Sequence, residues 1–184
     1  MGPGKGIEMM REQARTLEGL RTAIHMEIDG KEYYQKLSSR SGNQLGAELL
    51  QRLAAEEDVH RREFEQIYRS IQMNNNWPRV DFKPDSGKTL QTIFAEATSK
   101  LGIEFKSFGG ELDALQTALQ MEMITYEFYR LHSKDAIYPA EKDLYDAVSG
   151  EERMHHLILL DYYEFLKSPA AYFVRTEHPS LDGG

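Results

Sequence analysis

The segments Glu57 to His60 and Glu152 to His155 share one pattern, Glu-x-x-His. Residues three apart on a helix lie on one face, so each pair can aim a carboxylate and an imidazole at a single point. Both pairs interrupt runs in which apolar residues recur at three- and four-residue steps, and two lone glutamates, Glu27 and Glu122, do the same in two further runs. Buried carboxylates without basic partners repel one another and resist desolvation. Four of them beside two imidazoles therefore call for cations, and the chemistry to expect is that of a two-metal centre inside a helical bundle. Glu57 and Glu152 are expected to bridge the two ions. Glu27 with His60 would complete one, and Glu122 with His155 the other. Four carboxylates balance two divalent charges, so metal binding should stabilise the fold and release protons. Oxygen and imidazole donors without sulfur suit iron or manganese, with zinc also possible. Two ferrous ions together carry the two electrons that cleavage of a peroxide O–O bond consumes.

Tyr34 and Tyr129 follow Glu27 and Glu122 by two turns on the same faces. They are candidates to hydrogen-bond carboxylates of the site, with ordinary aromatic packing as the alternative. Tyr126, one turn after Glu122, is a third candidate. Gly30 and Thr125 stand one turn beyond the lone glutamates. Their small size either leaves room for an oxidant or serves helix packing.

Four long helices must position these groups. Leu17, Leu20, Ile24, Glu27, Lys31 and Tyr34 share one helical face; Leu50, Leu53, Glu57, His60, Phe64, Ile67 and Ile71 share another. The remaining two faces carry Leu112, Leu115, Leu119, Glu122, Tyr126 and Tyr129, then Tyr145, Val148, Glu152, His155, Leu159 and Tyr162. The spacing predicts helices over 11–40, 44–73, 110–135 and 139–167, with turns at Ser41 to Asn43 and at Pro139 and a stop at Pro169. Residues 74–110 hold too many prolines and glycines for a bundle helix. Within them Leu90, Ile93, Phe94, Ala97 and Leu101 predict a short amphipathic helix. The architecture expected is all-α: a four-helix bundle of two hairpins, 11–73 and 110–167, joined by a long crossover, as in ferritin-like bundles. Residues 168–184 form a tail, with Tyr172, Phe173 and Val174 available to pack on the bundle or on a partner. The whole chain, 1–184, is expected to be one domain.

The two hairpins repeat each other. A shift of 95 carries Leu20 to Leu115, Ala23 to Ala118, Glu27 to Glu122 and Tyr34 to Tyr129. The same shift carries Glu56 to Glu151, Glu57 to Glu152 and His60 to His155. One register aligns every expected ligand, which marks an internal duplication with a pseudo-twofold relation between its halves.

Composition narrows the partners. Thirty acidic against 22 basic residues give a net charge of −8, which argues against nonspecific nucleic-acid binding. No run of apolar residues is long enough to span a membrane, and the first residues lack the apolar stretch of a secretory signal. There are no cysteines, hence no disulfide, thiolate ligand or cysteine-held iron–sulfur centre in this chain. A cytoplasmic location is expected.

The paired Ala-x-x-Met-Glu segments, Ala23 to Glu27 and Ala118 to Glu122, together with the two Glu-x-x-His segments, resemble the rubrerythrin family of ferritin-like di-iron proteins. The resemblance covers roughly residues 11–167. It implies two iron ions in a carboxylate-bridged centre that reduces hydrogen peroxide, with electrons arriving from a rubredoxin-type iron centre. This chain has no cysteines for such a module, so the resemblance implies an external electron donor, such as a rubredoxin-type protein. The family also carries an extra glutamate one turn after its third-helix ligand, where this chain has Thr125. In that respect the six-residue set is more similar to the ferroxidase centre of bacterioferritins. The leading expectation is a rubrerythrin-like di-iron oxidoreductase acting on hydrogen peroxide or oxygen. The alternatives are a ferroxidase or iron-storage protein, and a metal-binding bundle without turnover. A homodimer is expected, with neither nucleic acid nor membrane as partner.

Overall fold

The apolar runs fold as their spacing predicts. The computed structural model describes residues 3–74, 77–78, 82–84, 87–100 and 109–172. Its long helices are α1 (Pro3–Ser38), α2 (Gln44–Asn74), α4 (Glu111–Asp135) and α5 (Pro139–Lys167), with the shorter α3 (Lys88–Lys100) between the two pairs. No strand occurs among the described residues. Helix α1 begins well before the expected residue 11, because the residues from Glu8 to Glu12 are good helix formers and Pro3 is tolerated in a first turn. Leu101 and the tail beyond Tyr172 lie outside the described residues.

Helices α1 and α2 form one hairpin, α4 and α5 the other, and α1 packs beside α4 while α2 packs beside α5. Two contacts fix α1 and α4 as antiparallel. The Tyr33 hydroxyl donates to the Ala114 carbonyl at 2.8 Å near one end, and Arg15 pairs with Asp135 at 2.6 Å near the other. The crossover joins the end of α2 to the start of α4, which lie at opposite ends of a bundle about 45 Å long for helices of this size. Along it, α3 buries Leu90 and Phe94, with Phe94 meeting Phe165 and Tyr172 edge to face.

The core is split by the polar centre into two apolar blocks. One holds Leu20, Ala23, Phe64, Ile67, Ile71, Tyr129, Leu144, Tyr145 and Val148. The other includes Leu115, Ala118, Leu159, Tyr162, Leu166, Tyr34, Leu49, Leu50 and Leu53. These two sets correspond residue for residue under the shift of 95, so the duplication extends from the polar residues into the packing. Two glycines are required by local geometry. Gly110 starts α4 from the left-handed region at φ 90°. Gly46 lets α2 approach α5, since a Cβ there would stand 1.9 Å from the Tyr162 hydroxyl oxygen.

Candidate metal centre

At mid-bundle each long helix delivers its polar residues to one point. Helix α1 supplies Glu27, α2 supplies Glu57 and His60, α4 supplies Glu122, and α5 supplies Glu152 and His155. All six are buried, none more than 4% exposed. They form two overlapping groups of four, Glu27, Glu57, His60 and Glu152, and Glu57, Glu122, Glu152 and His155. Within each group the potential ligand atoms lie within 4.8 Å of one another. Glu57 and Glu152 belong to both groups, so the structure brings together all six residues singled out by spacing.

The imidazoles present their Nδ1 atoms to the carboxylates. His60 Nδ1 lies 3.2 Å from Glu152 Oε1, 3.4 Å from Glu27 Oε2 and 3.8 Å from Glu57 Oε2. His155 Nδ1 lies 3.3 Å from Glu57 Oε1 and 3.7 Å from Glu122 Oε2. The opposite ring nitrogens are engaged by two further glutamates. His60 Nε2–H donates to Glu151 Oε2 at 2.8 Å, and His155 Nε2–H donates to Glu56 Oε2 at 3.0 Å. These bonds cross between hairpins, so each half of the duplication orients the imidazole of the other. In the neutral ring, a proton held on Nε2 leaves the Nδ1 lone pair facing the cluster. Glu56 and Glu151 carry this function although spacing alone did not nominate them. Their signal was the repeat of Glu-Glu-x-x-His in both halves.

The tyrosines also cross. Tyr34 donates to Glu122 Oε1 and Tyr129 donates to Glu27 Oε1. Side chains lean toward the N-terminus of their own helix. In antiparallel neighbours, Tyr34 and Glu122 therefore lean toward each other, whereas Glu27 leans away from Tyr34. Burial, then the charge of the partner glutamate, pushes both hydroxyls well above the usual phenol value, so they stay protonated donors. Tyr126 is half-buried and forms no hydrogen bond to the four carboxylates. The Thr125 hydroxyl reaches Glu152 Oε2 at 2.9 Å, and Gly30 packs against Glu57. At the rim, Phe82 from the crossover sets its ring edge-on to His60 at 5.7 Å. Lys31 turns away from the centre to Asp58 at 2.7 Å.

Charge is concentrated here without a fixed cation. Burial, then the neighbouring Glu57, holds Glu27 well above the usual carboxylate range. Burial, then the charge of Glu152, does the same to Glu122. For Glu57 burial alone would raise the value, but the close approach of Glu27, His155 and His60 outweighs it and holds it low. Burial would lower both histidines, yet the carboxylates around them win and raise both well above 6.5. Five buried atoms of the cluster lack any hydrogen-bond partner: Glu27 Oε2, His60 Nδ1, Glu122 Oε2, Glu152 Oε1 and His155 Nδ1. Buried polar atoms are rarely left unpaired. Five of them facing one point, all oxygen or imidazole nitrogen, fit the donor set of a divalent metal.

A bundle of two hairpins with one long crossover and this carboxylate–imidazole cluster defines a ferritin-like protein able to hold metal between its helices. The rubrerythrin family profile matches residues 18–163, and the chain belongs to that family. A solved structure of a hypothetical protein from Pyrococcus furiosus is similar, with a TM-score of 0.61 and 25% identity over 83% of this chain and 90% of that one. No curated protein matches the sequence. Among the described residues no helix is long and apolar enough to cross a membrane.

Proposed function

We propose that the chain is a di-iron oxidoreductase that reduces hydrogen peroxide or oxygen with electrons from an external donor. The observation that carries this reading is the set of five partnerless donor atoms facing one another within two overlapping ligand groups. Glu27 and His60 would hold one ion, Glu122 and His155 the other, and Glu57 and Glu152 would be shared. Two ferrous ions, if bound there, would supply the two electrons that convert a peroxide, with two protons, into two molecules of water. The chain's own contribution is positional. Glu151 and Glu56 keep both imidazoles turned with Nδ1 inward, and Tyr34 and Tyr129 fix the outer oxygens of Glu122 and Glu27. The six residues are buried between the apolar blocks, which strengthens each of these interactions. A chain without cysteines needs its returning electrons from a separate protein, for which a rubredoxin-type donor is suited.

The test is anaerobic. Chelator-stripped protein should take up two ferrous ions per chain, and one equivalent of peroxide should then be consumed rapidly with a two-iron ferric spectrum. Uptake of fewer than two ions, or ferrous protein indifferent to both peroxide and oxygen, would sink the proposal. A second reading, oxidation of iron as substrate for storage, is favoured by Thr125, which occupies the position of the family's extra glutamate. It requires a closed shell, so a homodimer in solution would argue against it and a large hollow assembly for it.

A further inference from the structure

The duplication provides an internal control, because each residue of one half can be compared with its counterpart in the other. Around the centre the halves agree at Glu27 and Glu122, Tyr34 and Tyr129, Glu56 and Glu151, and His60 and His155. They disagree at Gly30 and Thr125. The Thr125 hydroxyl lies 2.9 Å from Glu152 Oε2, while Gly30 offers Glu57 no hydrogen-bond donor from its side chain. Thr125 also lies 3.0 Å from the Glu122 carbonyl and 3.1 Å from the Met121 carbonyl. Its single proton has three acceptors. The carboxylate oxygen is the nearest of the three, and a carboxylate is a stronger acceptor than a peptide carbonyl.

The consequence is visible in the two shared carboxylates. Glu57 spans the centre, with Oε1 toward His155 and Oε2 toward His60. Glu152 does not span it in the same way. Its Oε1 stands 3.2 Å from His60 Nδ1, and its Oε2 is taken by Thr125. His60 Nδ1 thus faces three carboxylates within ion-pair distance, whereas His155 Nδ1 faces two.

Resting on the two-ion reading above, we infer that Thr125 is a positioning residue that makes the centre unequal. It holds Glu152 toward Glu27 and His60, so the first divalent ion settles there and the second settles at Glu122 and His155. Releasing Glu152 lets it swing toward His155 and evens the two positions. A hydroxyl introduced at position 30 would have the mirror effect on Glu57. The space exists, since a Cβ on Gly30 would lie 3.6 Å from Glu57 Cγ and Cδ, an ordinary contact.

The experiment uses chelator-stripped full-length chain and Co²⁺ as probe. Calorimetric titration gives the number of ions, and crystals grown with one Co²⁺ per chain give the anomalous peak at each position. In the wild type the peak beside Glu27 and His60 should exceed the other by about tenfold, the ratio one charged hydrogen bond supplies. Thr125→Val should bring the ratio near one, Thr125→Ser should restore it, and Gly30→Ser should narrow it without removing the native hydroxyl. Equal peaks in the wild type, or a ratio unchanged by both Thr125→Val and Gly30→Ser, would overturn the inference and leave the two-ion reading standing. Saturation below two Co²⁺ per chain would remove both.

Discussion

At the scale of single residues the centre depends on groups that would touch no metal. Glu56 and Glu151 each accept a hydrogen bond from an imidazole of the opposite hairpin, and Glu56 is itself steadied by Arg52 at 2.8 Å. Removing such an outer partner lowers metal affinity by about 10–100-fold in comparable sites. Glu151→Gln and Glu56→Gln keep the shape and discard the charge, so each should weaken metal binding within that range while leaving helix content intact. Competition against a chelating dye, with circular dichroism as the folding control, reads both quantities. Unchanged affinity in both variants would mean that the imidazoles are held by packing alone. The contrast with the other six residues explains what the sequence made legible. Glu27, Glu57, His60, Glu122, Glu152 and His155 break an apolar face, which is conspicuous in a helical repeat. Glu56 and Glu151 sit on the flank, where glutamate is ordinary, and only the crossing of the hairpins turns that flank inward.

At the scale of elements the hairpins were readable because their apolar faces are long and the duplication repeats them. The partners of the tyrosines were not, because spacing assigns Tyr34 to the face of Glu27 and says nothing of the antiparallel neighbour that offers Glu122. The same holds for Phe82, whose approach to His60 depends on the route of a crossover with no periodicity to follow. The close approach of α2 to the Tyr162 side chain of α5 at Gly46 was likewise invisible until packing was known. There the Tyr162 hydroxyl accepts from Asn43 at 2.9 Å and donates to Glu111 at 2.7 Å, filling the space a side chain would need. Gly46→Ala should destabilise the fold by about 1–3 kcal/mol, the usual cost of overpacking, and lower Tm by roughly 2–12 °C in a chain of this size. Tyr162→Phe removes the obstructing oxygen but also loses buried hydrogen bonds. The double variant should therefore cost less than the sum of the single changes. Strict additivity in thermal melts would show that the two residues do not oppose each other.

For the whole molecule the centre should link stability to both metal and protons. In the chelator-stripped protein Glu27 and Glu122 keep protons that the unfolded chain gives up near 4.5, because burial and neighbouring carboxylates raise them. Their contribution is complete below that value and is lost as pH rises through the folded one. His60 and His155 act in the same sense from a higher starting point. Their stabilisation is complete below 6.5 and fades as pH climbs past their raised folded values. Glu57, held low, works in the opposite direction and matters only as pH falls below 4.5. The other four groups therefore push the same way, Glu27 and Glu122 from 4.5 upward and the histidines from 6.5 upward. The stripped protein should lose thermal stability as pH rises above 6.5, by the linkage between proton uptake and folding. Bound divalent ions replace those protons as the balancing charge, so the loaded protein should hold its Tm over that range and its metal affinity should rise with pH. Melting curves of stripped and loaded protein across this range, with proton release measured during metal titration in weakly buffered solution, test the coupling directly. The gap between the two curves must widen toward high pH; a constant gap, or uptake of metal without release of protons, would mean that the buried carboxylates and imidazoles do not carry the charge argued for them.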